Sequence, residues 1–245
     1  MSEDQNPFAS PRAGARSASP PVDAPPYASA RGRGLVSAAL LALCAMISLV
    51  AIFFTLAEIR LLQSIVDGAE ISPAEADAND NRQGLVALVQ LTAIIASVIA
   101  FCLWIHRAHR NLPSLGTLGL RFTPGWAVGW YFVPIMNLFR PYQVMREILQ
   151  ASHPASDGSR PDVWKLAPVT PLLALWWAAY IISGILGNIS ARLAWTEEAE
   201  PMIAGNYLGL ADEALSIPAA FLVLRLVLGI CRFQDEKADA ADVSA

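Results

Sequence analysis

The chain has 245 residues, 55% of them hydrophobic and only 16% charged, with a net charge of −4. A soluble domain carries about 25% charged residues, and a phosphate-binding surface needs clustered Lys and Arg. Composition therefore argues against a typical soluble fold and excludes a nucleic-acid partner.

The first 34 residues are rich in Pro, Ala and Ser. They lack the apolar periodicity to fold alone, so a disordered, partly polyproline II tail is expected over 1–34. The first apolar run, 35–57, contains no charge and follows a polar tail, so it reads as an uncleaved membrane span rather than a secretory signal. About 20 apolar residues cross a hydrocarbon core of about 30 Å as a helix, which also satisfies its own backbone polar groups. A second run of this kind covers 84–105. A third covers 166–191 and carries Trp176 and Trp177 well inside it, where packing against another helix is expected. The fourth, 208–232, is interrupted by Arg225, whose stem lets the charge snorkel toward the headgroups. The fold class expected is all-α: a four-helix membrane bundle, 35–234, with a short disordered tail over 235–245.

Between the second and third runs lies a different kind of segment. Residues 126–139 are uncharged but short for a span and contain Gly129 and Pro134, with Gly125 just before and Arg140 just after. A re-entrant or interfacial segment over 124–152 is expected, because irregular backbone is tolerated at membrane depth only beside protein or water. After Pro141, the apolar residues Val144, Met145, Ile148 and Leu149 fall at helical spacing. This pattern predicts an amphipathic helix on the inner membrane surface.

Basic residues set the orientation. Four lie in the N-terminal tail, seven in the central connection and three at the C-terminal end, which is 14 of the 17 in the chain. The positive-inside bias predicts both termini in the cytoplasm.

One stretch is specific enough to carry a resemblance. Trp104-Ile-His-Arg107 and Asn111 precede Gly125-Trp126-Ala-Val-Gly129-Trp130-Tyr-Phe-Val-Pro134; Asn137, Arg140-Pro141-Tyr142 and Arg146-Glu147 follow, with Trp176, Trp177, Arg225 and Gln234 further on. This arrangement resembles the bacterial membrane family known as domain of unknown function 4328, over most of the chain from Leu35 onward. His106 and His109 lie outside the pattern. The resemblance implies a multi-pass protein of the bacterial cytoplasmic membrane and leaves its activity open.

The candidate positions follow from this. Arg107, Asn111, Asn137, Arg140, Tyr142 and Arg146 are candidates for holding an anionic lipid headgroup or a phosphate-bearing ligand where helices meet the cytoplasmic face. Basic residues there also anchor helices, with Glu147 or backbone carbonyls as partners. The Asn137 amide is expected to satisfy backbone freed by the broken helix. His106 and His109 share a helical face, but Arg107 and Arg110 beside them repel a cation, so no metal is expected. Cys44, Cys102 and Cys231 lie singly in apolar runs, and no cofactor is expected. The function expected is a non-enzymatic membrane module that binds an anionic lipid, a protein partner or a second copy through its basic cytoplasmic belt. A small transporter or channel subunit with its site at 126–140 is the alternative, and an intramembrane enzyme ranks last.

Overall fold

The computed structural model describes residues 26–156, 162–196 and 198–244. Of the tail expected over 1–34, residues 1–25 lie outside the described residues. Among the described residues six α-helices follow in chain order: α1 Arg31–Val66, α2 Pro73–Arg110, α3 Pro124–Gly129, α4 Arg140–Ser152, α5 Pro171–Leu193 and α6 Ala199–Ser244. Four of them, α1, α2, α5 and α6, are long and apolar enough to cross a membrane. Short 3-10 turns, Met136–Leu138 and Val163–Leu166, lie on either side of α4.

Hydropathy marks where lipid is crossed, not where a helix ends, so three of the four helices outrun the predicted spans. α1 begins at Arg31, inside the expected tail. It ends where Gly68 takes a left-handed φ of 87° and Ala69 N donates back to Ser64 O at 2.9 Å. Six residues, 67–72, separate it from α2. Ser72 caps it by accepting from Glu75 N, with Pro73 in the first turn, as the Ser-Pro-Ala-Glu spacing dictates. The hairpin therefore extends well past the apolar runs. α6 also continues through 235–244, where a disordered tail was expected; Asp235 and Lys237 bond to residues outside the helix, as shown below.

α6 packs between α1 and α5, and α2 flanks α1. Burial inside the spans is sparse. Only 17% of the apolar window is buried in α2 and in α5, so most of these surfaces face outward, as lipid contact requires. Without a hydrophobic drive between helices in lipid, small residues and polar bonds hold them. Ser48 and Ser216 hydroxyls meet at 3.3 Å between α1 and α6, and Gln90 of α2 donates to Glu213 at 2.5 Å. The neighbouring Asp212 turns to α5 and accepts from Ser183, as two adjacent helical residues must point apart. Trp176 is buried, with its ring 6.3 Å from Phe101 of α2, and Trp177 lies 6.4 Å from Tyr142 of α4.

The dense core sits at one end of the bundle, where α1 and α5 begin and α2 ends. Trp104, Ile105, Leu112, Val144, Met145, Ile148, Val227 and Ile230 are all fully buried there. Gly34 makes this possible. A Cβ on it would meet Cys231 Sγ at 2.6 Å and the Trp104 ring at 3.3 Å. Gly34→Val is expected to lose about 1–3 kcal/mol by overpacking, whereas Gly32→Ala, with open space around it, is expected to be neutral or stabilising. Thermal unfolding in detergent separates the two.

Candidate functional site

The sequence places its candidate residues around the broken segment, and the structure gathers them at the densely packed end. α4 is amphipathic as expected, but its apolar face does not lie on a membrane. Val144, Met145, Ile148 and Ala151 are buried against the protein's own core. What remains exposed is one side of 126–139, with Trp126, Phe132, Ile135 and Phe139 each more than half exposed, while Ala127 is buried. Ile135 has a φ of 66°, a conformation unfavourable for a β-branched residue, and it forms the bend between α3 and the Met136–Leu138 turn.

Glu147 sits on the buried face of α4, between Val144 and Ile148, and is 4% exposed. A carboxylate in that position must find donors. It accepts from Arg121 N at 2.8 Å, from Phe122 N at 3.2 Å and from His109 Nε2 at 2.9 Å. Because an ionised carboxylate only accepts, the ring nitrogen facing it carries the proton. Glu147 thus ties the end of α2 and the connection to α3 onto α4. His109 is itself buried.

A second hub is Gln234 of α6, which is fully buried. Its amide nitrogen donates to Ala108 O at 2.8 Å and to Ser152 Oγ at 3.0 Å, while its oxygen accepts from Asn111 Nδ2 at 3.0 Å. Asn111 also donates to Ala28 O at 2.9 Å, which brings in the chain before α1. Gln150 donates to Lys165 O and Ala167 O, at 2.6 and 2.7 Å, and Lys237 Nζ donates to Ala151 O and Ser156 Oγ. Tyr27 and Ser29 both donate to Asp235, at 2.7 and 2.8 Å. Burial, then the bond to Asp235, pushes the Tyr27 phenol above its usual range, so it stays a donor. Trp104 Nε1 donates to Cys231 Sγ at 3.2 Å. These amides and carboxylates satisfy backbone groups left open where helices end. Their chemistry is that of a polar clamp on helix termini.

The candidates divide accordingly. Asn111 and Glu147 are interior and bind protein groups. Asn137 does not satisfy the broken backbone as expected; its Oδ1 is buried without a donor, and it is the Asn137 backbone N–H that closes onto Val133 O. Pro134 O is likewise taken by Met136 N, and Pro141 is buried at the start of α4. Gly125 has open space around it, and Gly129 lies under the Trp126 ring, which meets the Trp130 ring at a tilt, 4.6 Å between centroids. Arg140 lies over the Trp130 ring at 5.4 Å and donates to Gln143 at 3.0 Å. Arg146 is exposed and donates to Gln150, and Arg107 is half-buried. Besides the His109–Glu147 hydrogen bond, the ion pairs among the described residues are Lys165–Asp162 and Arg232–Glu236. Arg107, Arg110, Arg121, Arg140 and Arg146 enter none of them. No three His, Cys, Asp or Glu side chains gather as a metal set among the described residues.

Sequence reasoning missed His109 and Gln150 as clamp residues. The available signal was an acid, Glu147, set among apolar residues at helical spacing, which demands an interior partner. Tyr27 and Asp235 carried no comparable signal.

The family model described as a domain of unknown function (DUF4328) matches residues 67–232. The match begins after α1, a narrower reach than a resemblance from Leu35 onward, and it includes the Glu147 hub and the segment 126–139. No curated protein and no solved structure matches the chain. With more than half of its length matched, the chain belongs to the family of domain of unknown function 4328.

Proposed function

We propose that the protein is a non-enzymatic membrane module whose basic end binds anionic headgroups, with both termini in the bacterial cytoplasm. The observation that carries this reading is the set of five arginines, Arg107, Arg110, Arg121, Arg140 and Arg146, without a carboxylate partner among the described residues. They belong to the same end as the exposed apolar segment 126–139, a combination suited to a headgroup boundary. Neutralising each basic residue near such a surface removes about 1 kcal/mol of attraction. In nanodiscs of mixed phosphatidylglycerol and phosphatidylcholine, the wild type is expected to enrich the anionic lipid around itself. An Arg107/Arg140/Arg146→Gln variant is expected to lose most of that enrichment. Equal partitioning of the two lipids around the wild type contradicts the reading. An acidic protein partner or a second copy would use the same charges, and capture experiments with the same variant address it.

A second reading has its own observation. Trp130 Nε1, Tyr131 OH and Asn137 Oδ1 are buried without partners in the broken segment, as in a site for a transported solute. Solute flux in reconstituted vesicles that Asn137→Leu abolishes would favour it.

A further inference from the structure

A cavity of about 580 Å³ opens at the same end of the bundle, between α4, the start of α5 and α6. Its volume is that of a small-ligand site. Its walls have two characters. Leu149, Leu172, Leu226 and Phe233 are apolar, while Arg225 and Arg232 are basic.

The two arginines are seven residues apart on α6, so they share a face about 10 Å apart along the axis. Gly229 lies between them and also lines the cavity, and a Cβ placed on it would meet nothing within 4 Å. The space between the arginines is therefore open. Arg225 is exposed, enters no ion pair among the described residues and lies 5.9 Å from the Phe221 ring. Arg232 pairs with Glu236 at 3.3 Å, but both side chains are at least half exposed, so solvent weakens that pair. Thr170, at the N-terminus of the 23-residue α5, also faces the cavity, adding the positive end of a helix dipole to the two charges.

A basic rim, compensated only by the exposed Arg232–Glu236 pair and joined to an apolar wall on helices that cross a membrane, matches one kind of molecule. We infer that this cavity is a binding site for a single anionic phospholipid, with its phosphate between Arg225 and Arg232 and an acyl chain along Leu172 and Leu226. The inference rests on the membrane-spanning bundle and is separate from the basic belt of Arg107, Arg140 and Arg146.

The test is native mass spectrometry of the delipidated full chain in detergent, titrated with dimyristoyl phosphatidylglycerol, dimyristoyl phosphatidylcholine or glycerol phosphate. One phosphatidylglycerol is expected to bind ahead of any phosphatidylcholine, and glycerol phosphate is expected not to bind. Arg225→Gln and Arg232→Gln are each expected to weaken that first binding event roughly tenfold, the scale of one lost charge-assisted hydrogen bond. Gly229→Leu, whose Cβ enters open space on the cavity wall, is expected to abolish it. Arg232 is 70% exposed, so its variant keeps the fold and still decides the question if another variant fails to fold. The Arg107/Arg140/Arg146→Gln variant is expected to retain the first phosphatidylglycerol; if it alone loses it, the belt and not the cavity binds lipid, and the inference fails. Equal binding of both lipids, tight binding of glycerol phosphate, or full binding by Gly229→Leu overturns the assignment. A wild-type dimer that Gly229→Leu dissociates would give the cavity to a second copy and overturn it too.

Discussion

Glu147→Ala is expected to destabilise the protein by about 3–5 kcal/mol, the cost of removing one partner from a buried charged group that others depend on. The substitution strands Arg121 N, Phe122 N and His109 Nε2 in the interior, since Glu147 is the acceptor for all three. The two amides precede α3, so the loss also releases the connection that positions 126–139. Glu147→Gln keeps an acceptor oxygen and is expected to lose less. His109→Ala leaves both amides bonded and should also lose less than Glu147→Ala. Thermal unfolding in a single detergent ranks the three, with a fall of roughly 10 °C for Glu147→Ala, given about 2–4 °C per kcal/mol in a chain of this size. A midpoint unchanged by Glu147→Ala would mean the hub does not hold the end of the bundle.

Gln234→Leu carries the second large effect, about 3 kcal/mol, because leaving a buried polar group unsatisfied costs about 1–3 kcal/mol each. Ala108 O, Ser152 Oγ and Asn111 Nδ2 all lose a partner. The side chains of Asn111 and Gln234 bond directly, so their effects should not add. A double-mutant cycle with Asn111→Ala is expected to return a coupling of about 0.5–3 kcal/mol. Zero coupling would show that the two amides act separately.

The spans were readable because each holds a long apolar run, and length alone decides whether such a run can cross lipid. The helix ends were not readable from the same signal. Polar residues such as those of 73–83 and 235–244 continue a helix in water, and hydropathy is silent about them. The amphipathic period of α4 was visible, but period does not say whether an apolar stripe meets lipid or protein. Here it meets the core, and the adjoining irregular segment is the exposed one. Asn137 illustrates the same limit, because the backbone closed its own bonds and left the amide oxygen over. The clamp depended on contacts that sequence reading reaches least. Tyr27 and Asp235 bond across 208 residues, and nothing local in either segment announces the other.

The central claim is a four-span bundle in which 126–139 stays on one side together with both ends of the described chain. It is tested most directly by impermeant maleimide labelling of single cysteines in a background lacking Cys44, Cys102 and Cys231. Arg121→Cys and Ala155→Cys flank the segment, while Glu70→Cys and Trp195→Cys lie in the two hairpin connections at the far end. The predicted result is that positions 121 and 155 label from one face of the membrane and positions 70 and 195 from the other. Labelling of 121 and 155 from opposite faces would make 126–139 a fifth crossing and contradict the account.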